Sequence, residues 1–143
     1  MTTREAQLEA FASFPARLRD AAMAAATRPT PPSEWGPTEV VRHLIAVEAE
    51  VHQFRLNQVA AVDDPHWNWT EPGLAAEFDG APLSEVLEAF EAARAATVRI
   101  VRALDDDGWA RFGTHATYGR LDVEGLLKLA SDHDAEHVEA LRG

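Results

Sequence analysis

Residues 126–141 read LLKLASDHDAEHVEAL. Leu126, Ala130, His133, His137 and Leu141 follow at steps of four, three, four and four, the repeat of one helix face. Two histidines therefore stand where a core-facing stripe wants apolar side chains. Imidazoles at i and i+4 lie one turn apart on the same face and can share a metal ion. Burying two unpaired imidazoles is costly, because each ring carries polar nitrogens that need partners. A metal removes much of that cost.

Three further stripes precede this one. The first helix is expected from about Arg4 to Ala26, on Leu8, Phe11, Leu18, Ala22 and Ala25, with a kink or restart near Phe14 because Pro15 cannot donate to the helix ladder. Prolines 29, 31 and 32 end it. Pro37 suits the first position of a second helix, and Glu39 complements the dipole of its first turn. Val40, Leu44, Val47, Val51 and Phe54 carry that helix to about Ala60. Residues 61–80 show no clean period, and so long a connection inside a compact domain is uncommon and often functional. Pro82 opens the third helix, whose stripe runs from Leu83 to Leu104, and DDDG at 105–108 stops it. A second connection, residues 109–120, leads to the last helix. Asp122 is its expected N-cap, with Leu121 and Leu126 as the staple on either side. The expectation is an all-α, four-helix bundle in a single domain over residues 1–143.

Two ligands rarely suffice for a metal, and His43 is the best third. It lies between Val40 and Val47 on the inward side of the second helix. His52, nine residues on and half a turn round, is expected to face away, and His66 and His115 fall in connections. His43 is early in its helix, whereas His133 and His137 are late in theirs. They meet only if the second and fourth helices are antiparallel. A plain up-and-down bundle makes them parallel. A 61–80 segment that crosses the bundle, leaving the third helix parallel to the second, resolves the conflict.

Composition narrows the function classes. The 143 residues hold no cysteine, which excludes disulfides and thiolate metal sites. The net charge of -11 disfavours attraction to a phosphate backbone, so nucleic acid is not an expected partner. No apolar run is long enough to span a bilayer, and the first residues lack the pattern of a secretion signal. A soluble cytoplasmic protein is the expectation. No HExxH, phosphate loop or G-x-S-x-G elbow is present, and Asp134-x-x-His137 is the one helical approximation to a di-iron motif.

Three stretches together resemble the DinB-like (DinB/YfiT-like) superfamily of metal-binding four-helix bundles. SEWGPTEVVRHLIAVEAE matches the family's entry to helix two, with Trp35, Glu39, Val40, His43 and Leu44 in place. FEAARAATVRIVRALDDDGW resembles helix three and its exit at Trp109. THATYGRLDVEGLLKLASDHDAEHVEALR resembles the last helix with its His-x-x-x-His. Gly36 stands where the family has a capping serine. The resemblance implies a three-histidine site at His43, His133 and His137, a divalent transition metal (zinc or nickel), the crossed topology and a homodimer. In some relatives it also implies transfer of a low-molecular-weight thiol onto a small electrophile.

Three imidazoles leave the metal charge unneutralised and a coordination position open, the pattern of catalytic zinc. Such an ion can bind a thiolate or acidify water. The open site alone implies no particular reaction; with the family resemblance, the expected function is a metal-dependent thiol transferase acting on a small molecule, with metal-assisted hydrolysis second and a non-catalytic metal-binding module third. No catalytic residue beyond the ligands is assigned. Trp35, Trp67 and Trp69 are candidates to line a substrate pocket, although Trp35 also suits a core anchor. Asp134 and Glu136 suit either orientation of an imidazole or a solvated surface. Arg94 and Tyr118 are weaker candidates.

Overall fold

The computed structural model of the chain describes residues 2–143. The first helix, α1, spans Thr3–Ala25. Thr2 opens it with a capping box: its hydroxyl accepts from the Glu5 N–H, and the Glu5 carboxylate accepts from the Thr2 N–H. α1 passes through Pro15 without the restart expected near Phe14. Pro15 lacks the N–H that would bond the Phe11 carbonyl. That carbonyl accepts instead from Arg94 Nη1 at 3.0 Å, so a side chain from outside the helix fills the gap in the ladder.

α2 spans Pro37–Val47, a π turn covers Glu48–Gln53, and α3 (Phe54–Ala61) completes the run. Gly36 has no side chain to cap α2, yet its N–H still reaches the Glu39 carboxylate at 3.2 Å. α4 covers Leu83–Arg102, α5 Asp106–Ala110 and α6 Val123–Arg142. Asp105 accepts from the Gly108 N–H, so the acidic run expected only to stop the third helix also starts a short one. Asp122 caps α6 through the Gly125 N–H at 2.8 Å, and Leu121 packs against the buried cluster that holds Leu126.

The core has two halves. One joins Ala22 and Ala25 at the end of α1, Val41 and Leu44 early in α2, Val86 and Phe90 early in α4, and Val138 and Leu141 late in α6. The other joins Phe11 of α1, Leu56 and Val59 of α3, Val98 and Val101 late in α4, and Val123 and Leu127 early in α6. α2 and α4 are therefore parallel to each other and antiparallel to α1 and α6. The segment between α3 and α4 crosses the bundle, as the ligand spacing required. It is pinned beside α2, where the Ala75 N–H donates to the Arg42 carbonyl and the Arg42 guanidinium donates to the Ala75 carbonyl.

A small sheet joins the two connections. β1 (His66–Trp67) runs parallel to β2 (Phe112–His115), which pairs antiparallel with β3 (Gly119–Asp122). Residues 109–120 are thus a short helix and a hairpin rather than a plain connection. The hairpin turns over residues 116–118, and Gly119 takes φ +75°, a left-handed conformation that costs glycine nothing sterically. No helix among the described residues is long and apolar enough to cross a membrane.

Candidate metal centre

α6 presents His133 and His137 one turn apart, with their Nε2 atoms 3.3 Å from each other. The start of α2 brings in His43, whose ring lies 6.0 Å from that of His133 and 5.2 Å from that of His137. His43 Nδ1 is 3.1 Å from the Gly73 carbonyl. A carbonyl only accepts, so Nδ1 carries the proton and Nε2 keeps a free lone pair. One ligand atom from each of the three lies within 4.8 Å of the others. Nitrogen ligands about 2.0–2.1 Å from a tetrahedral ion are roughly 3.3–3.4 Å apart. The His133–His137 spacing therefore fits a shared ion. Burial, then the neighbouring His133 and His43, push the His137 imidazole down to about 4. Burial and His43 also lower His133. Both rings are thus neutral near pH 7, which is the ligating form.

His52 departs from expectation. A π turn inserts one residue into the helix, which turns the chain beyond it by about 100° relative to an unbroken α-helix. Nine residues after His43, His52 then falls about 80° round instead of half a turn. Its side chain is 10% exposed. It meets the His133 ring edge-on at 6.5 Å. His52, His133 and Asp134 also hold ligand atoms within 4.8 Å of one another. Burial drives the His52 pKa down to about 4, against the opposing pull of Glu48.

Asp134 is not a solvated surface charge. It is buried, and its Oδ1 accepts from Arg94 Nη2 at 3.0 Å. Arg94 also donates Nε and Nη2 to Glu48 Oε1 at 3.0 and 2.8 Å, and its guanidinium lies 3.8 Å over the Phe11 ring. Two carboxylates thus share one guanidinium. Glu48 takes two of its bonds plus the Thr97 hydroxyl, and these offset burial and hold its carboxyl below the usual range. Asp134 has one bond, and burial pushes its carboxyl up to about 6. Arg94, one of the weaker candidates in the sequence, is the pin of the core.

The three histidines open onto a cleft of about 360 Å³. Trp35 and Trp69 stand on its rim, largely exposed, and the Trp35 ring lies 5.0 Å from that of His43. Trp35 is therefore a wall of the cleft rather than a core anchor. Trp67 is the correction: it is buried in the core, its indole N–H donating to Gln58 Oε1, and it does not line the cleft. Its bulk fills the space that Gly113 leaves by lacking a Cβ. Glu136 and Tyr118 line the cleft, and His66 sits outside it, exposed beside Asp64. Arg55 and His115 also line the cleft, although the sequence singles out neither for it. Arg55 follows the π turn on a face the unbroken helical period hides. His115 arrives on β2, and no strand was expected there.

Comparison with known proteins agrees with this architecture. No curated protein matches the chain with a significant score. Among solved structures, the chain is similar to YfiT from Bacillus subtilis, described as a probable metal-dependent hydrolase with an unusual four-helix bundle topology. The TM-score is 0.68 at 18% sequence identity, over 99% of this chain and 87% of that one. At that identity the likeness carries the fold. The model of the DinB superfamily matches residues 7–141, a span that includes all three histidines. The chain belongs to the DinB superfamily.

Proposed function

We propose that the protein binds one divalent transition metal through His43, His133 and His137 and uses it to hydrolyse a small-molecule substrate held in the cleft. One observation carries the reading: three imidazoles from two antiparallel helices converge, and their open side faces a cleft of about 360 Å³. A bound ion would supply Lewis acidity at that open side. The chain's own groups do the rest. The Gly73 carbonyl fixes the His43 tautomer and ring orientation. Trp35 stands against the His43 ring and walls one side of the cluster. The Glu136 carboxylate lies on the cleft wall, next to His137 in sequence. The description of the similar YfiT as a probable metal-dependent hydrolase supports reading hydrolysis ahead of thiol transfer.

The test begins with elemental analysis of the purified chain beside the His43→Ala, His133→Ala and His137→Ala variants. The expected result is about one zinc or nickel per chain, lost in each variant. The metal-loaded chain is then offered ester and amide panels, and separately a thiol with an electrophile. Hydrolysis that needs all three histidines supports the reading. Turnover with the thiol alone would transfer it to the thiol transferase class, and full metal content in the His43 variant would overturn the ligand set.

A further inference from the structure

Several nitrogens in the cleft have no hydrogen-bond partner among the described residues, and two of them, on His115 and Arg55, lie outside the histidine cluster. His115 is 2% exposed. Its Nδ1 accepts from the Thr117 N–H at 3.0 Å and lies 3.4 Å from the Tyr118 N–H. An atom that accepts from backbone N–H groups carries no proton, so the hairpin turn fixes the tautomer with the proton on Nε2. That buried N–H has no partner among the described residues. Leaving such a donor unpaired is costly, and such cases call for an explanation.

Arg55 stands beside it. Its residue is 8% exposed, and its guanidinium lies 5.5 Å over the Trp67 ring. It makes no hydrogen bond or ion pair to a carboxylate among the described residues, and the Tyr118 side chain lines the cleft with it. The chain carries 24 acidic side chains against 13 basic ones, and Glu71, Asp132 and Glu136 line the same cleft, yet none of the acids pairs with Arg55 among the described residues. Arg94, which lies deeper in the core, is fully paired. Both Arg55 and His115 line the same cleft as the histidine cluster.

From this geometry we infer that Arg55 and His115 form an anion subsite that receives a carboxylate of the substrate. The inference rests on the cleft being the ligand site and names the class of ligand: a small organic acid whose reacting end reaches the three histidines while its carboxylate lies against Arg55. A guanidinium fork matches a carboxylate with two parallel N–H donors, and the His115 Nε2–H adds a third donor. Trp67 beneath the guanidinium and the hairpin turn behind His115 hold both donors in place before the ligand arrives. Hydrogen bonds to a charged acceptor in such a site favour a carboxylate over its neutral amide by about tenfold or more.

The probes are butanoate and hexanoate against butanamide and hexanamide. Each is titrated into the full chain, with zinc and after dialysis against a chelator. The readout is the NMR signals of Arg55 Nε–H and His115 Nε2–H. The carboxylates are expected to shift both signals in both preparations, while the amides leave them in place. Arg55→Met should weaken carboxylate affinity tenfold or more. Arg55→Lys, which keeps the charge and loses the fork, should weaken it less. Carboxylates that move only His133 and His137, or that bind Arg55→Met as tightly as the parent, would overturn the subsite. Because the chelated chain is also measured, loss of the metal reading leaves this result standing, and failure of the subsite leaves the metal reading standing.

Discussion

Arg94 touches every long helical run. It takes the Phe11 carbonyl that Pro15 leaves free, holds Glu48 of the π turn and reaches Asp134 on α6. Removing it strands two buried carboxylates. Arg94→Met is therefore expected to cost about 3–5 kcal/mol, far more than its lost packing, as read from urea unfolding at pH 7. A loss below about 1 kcal/mol would mean that the carboxylates are paired by something else. His52 gives a prediction with a sign. Its folded pKa is about 4 against 6.5 for the free group. The unfolded chain therefore takes up the proton first as pH falls, and the stability of the neutral buried ring, complete above 6.5, is lost between 6.5 and about 4. Asp134 works in the opposite sense, since its carboxyl is pushed up to about 6 and the folded chain gains protons there. Comparing the metal-free chain with His52→Gln cancels that contribution to first order. The parent is expected to lose about 2 kcal/mol more than the variant between pH 7 and pH 5. Parallel losses in the two proteins would show that His52 is not desolvated.

The elements show what the helical period could and could not reveal. His43, His133 and His137 were legible because each sits in register with an unbroken apolar stripe, and the conflict between their positions and a simple bundle exposed the crossover. His52 and Arg55 were not, because a π turn has no sequence mark and moves every later residue by about 100°. The hairpin was hidden for another reason: strands of four residues with glycine at 113 and 119 carry too little alternation to stand out. Two consequences are measurable. A π turn carries one residue more than the helix on either side needs. Deleting the exposed Glu50 should leave Arg55, Leu56 and Val59 facing inward and lower the melting temperature only modestly. Deleting the exposed Glu88 from the regular α4 should throw Phe90, Arg94 and Thr97 off the core and abolish cooperative unfolding. Equal damage from both deletions would argue against the extra residue. Gly113→Ala is expected to cost about 1–3 kcal/mol, because its Cβ would meet the Trp67 ring at 2.4 Å and the Pro65 carbonyl at 2.8 Å.

For the whole molecule, the histidine cluster ties together parts of the chain that lie far apart in sequence. His43 belongs to the start of α2 and His137 to the end of α6, so the same ion would hold these two helices together at one corner of the bundle. An unfolded chain cannot present these three nitrogens together, and binding is therefore coupled to stability. Free metal at 100 times its dissociation constant adds about 2.7 kcal/mol. For a chain of this size that is a rise of roughly 10 °C in melting temperature. The expected experiment is a thermal scan of the chelated chain with increasing zinc or nickel, beside His43→Ala. The parent should shift upward with the logarithm of metal concentration, and the variant should stay nearly flat. A variant that rises as far as the parent would place the ion elsewhere, with His52, His133 and Asp134 the next cluster to test. A flat response in both would leave the three imidazoles as crowded side chains lining the cleft, and hydrolysis would then have no metal to depend on.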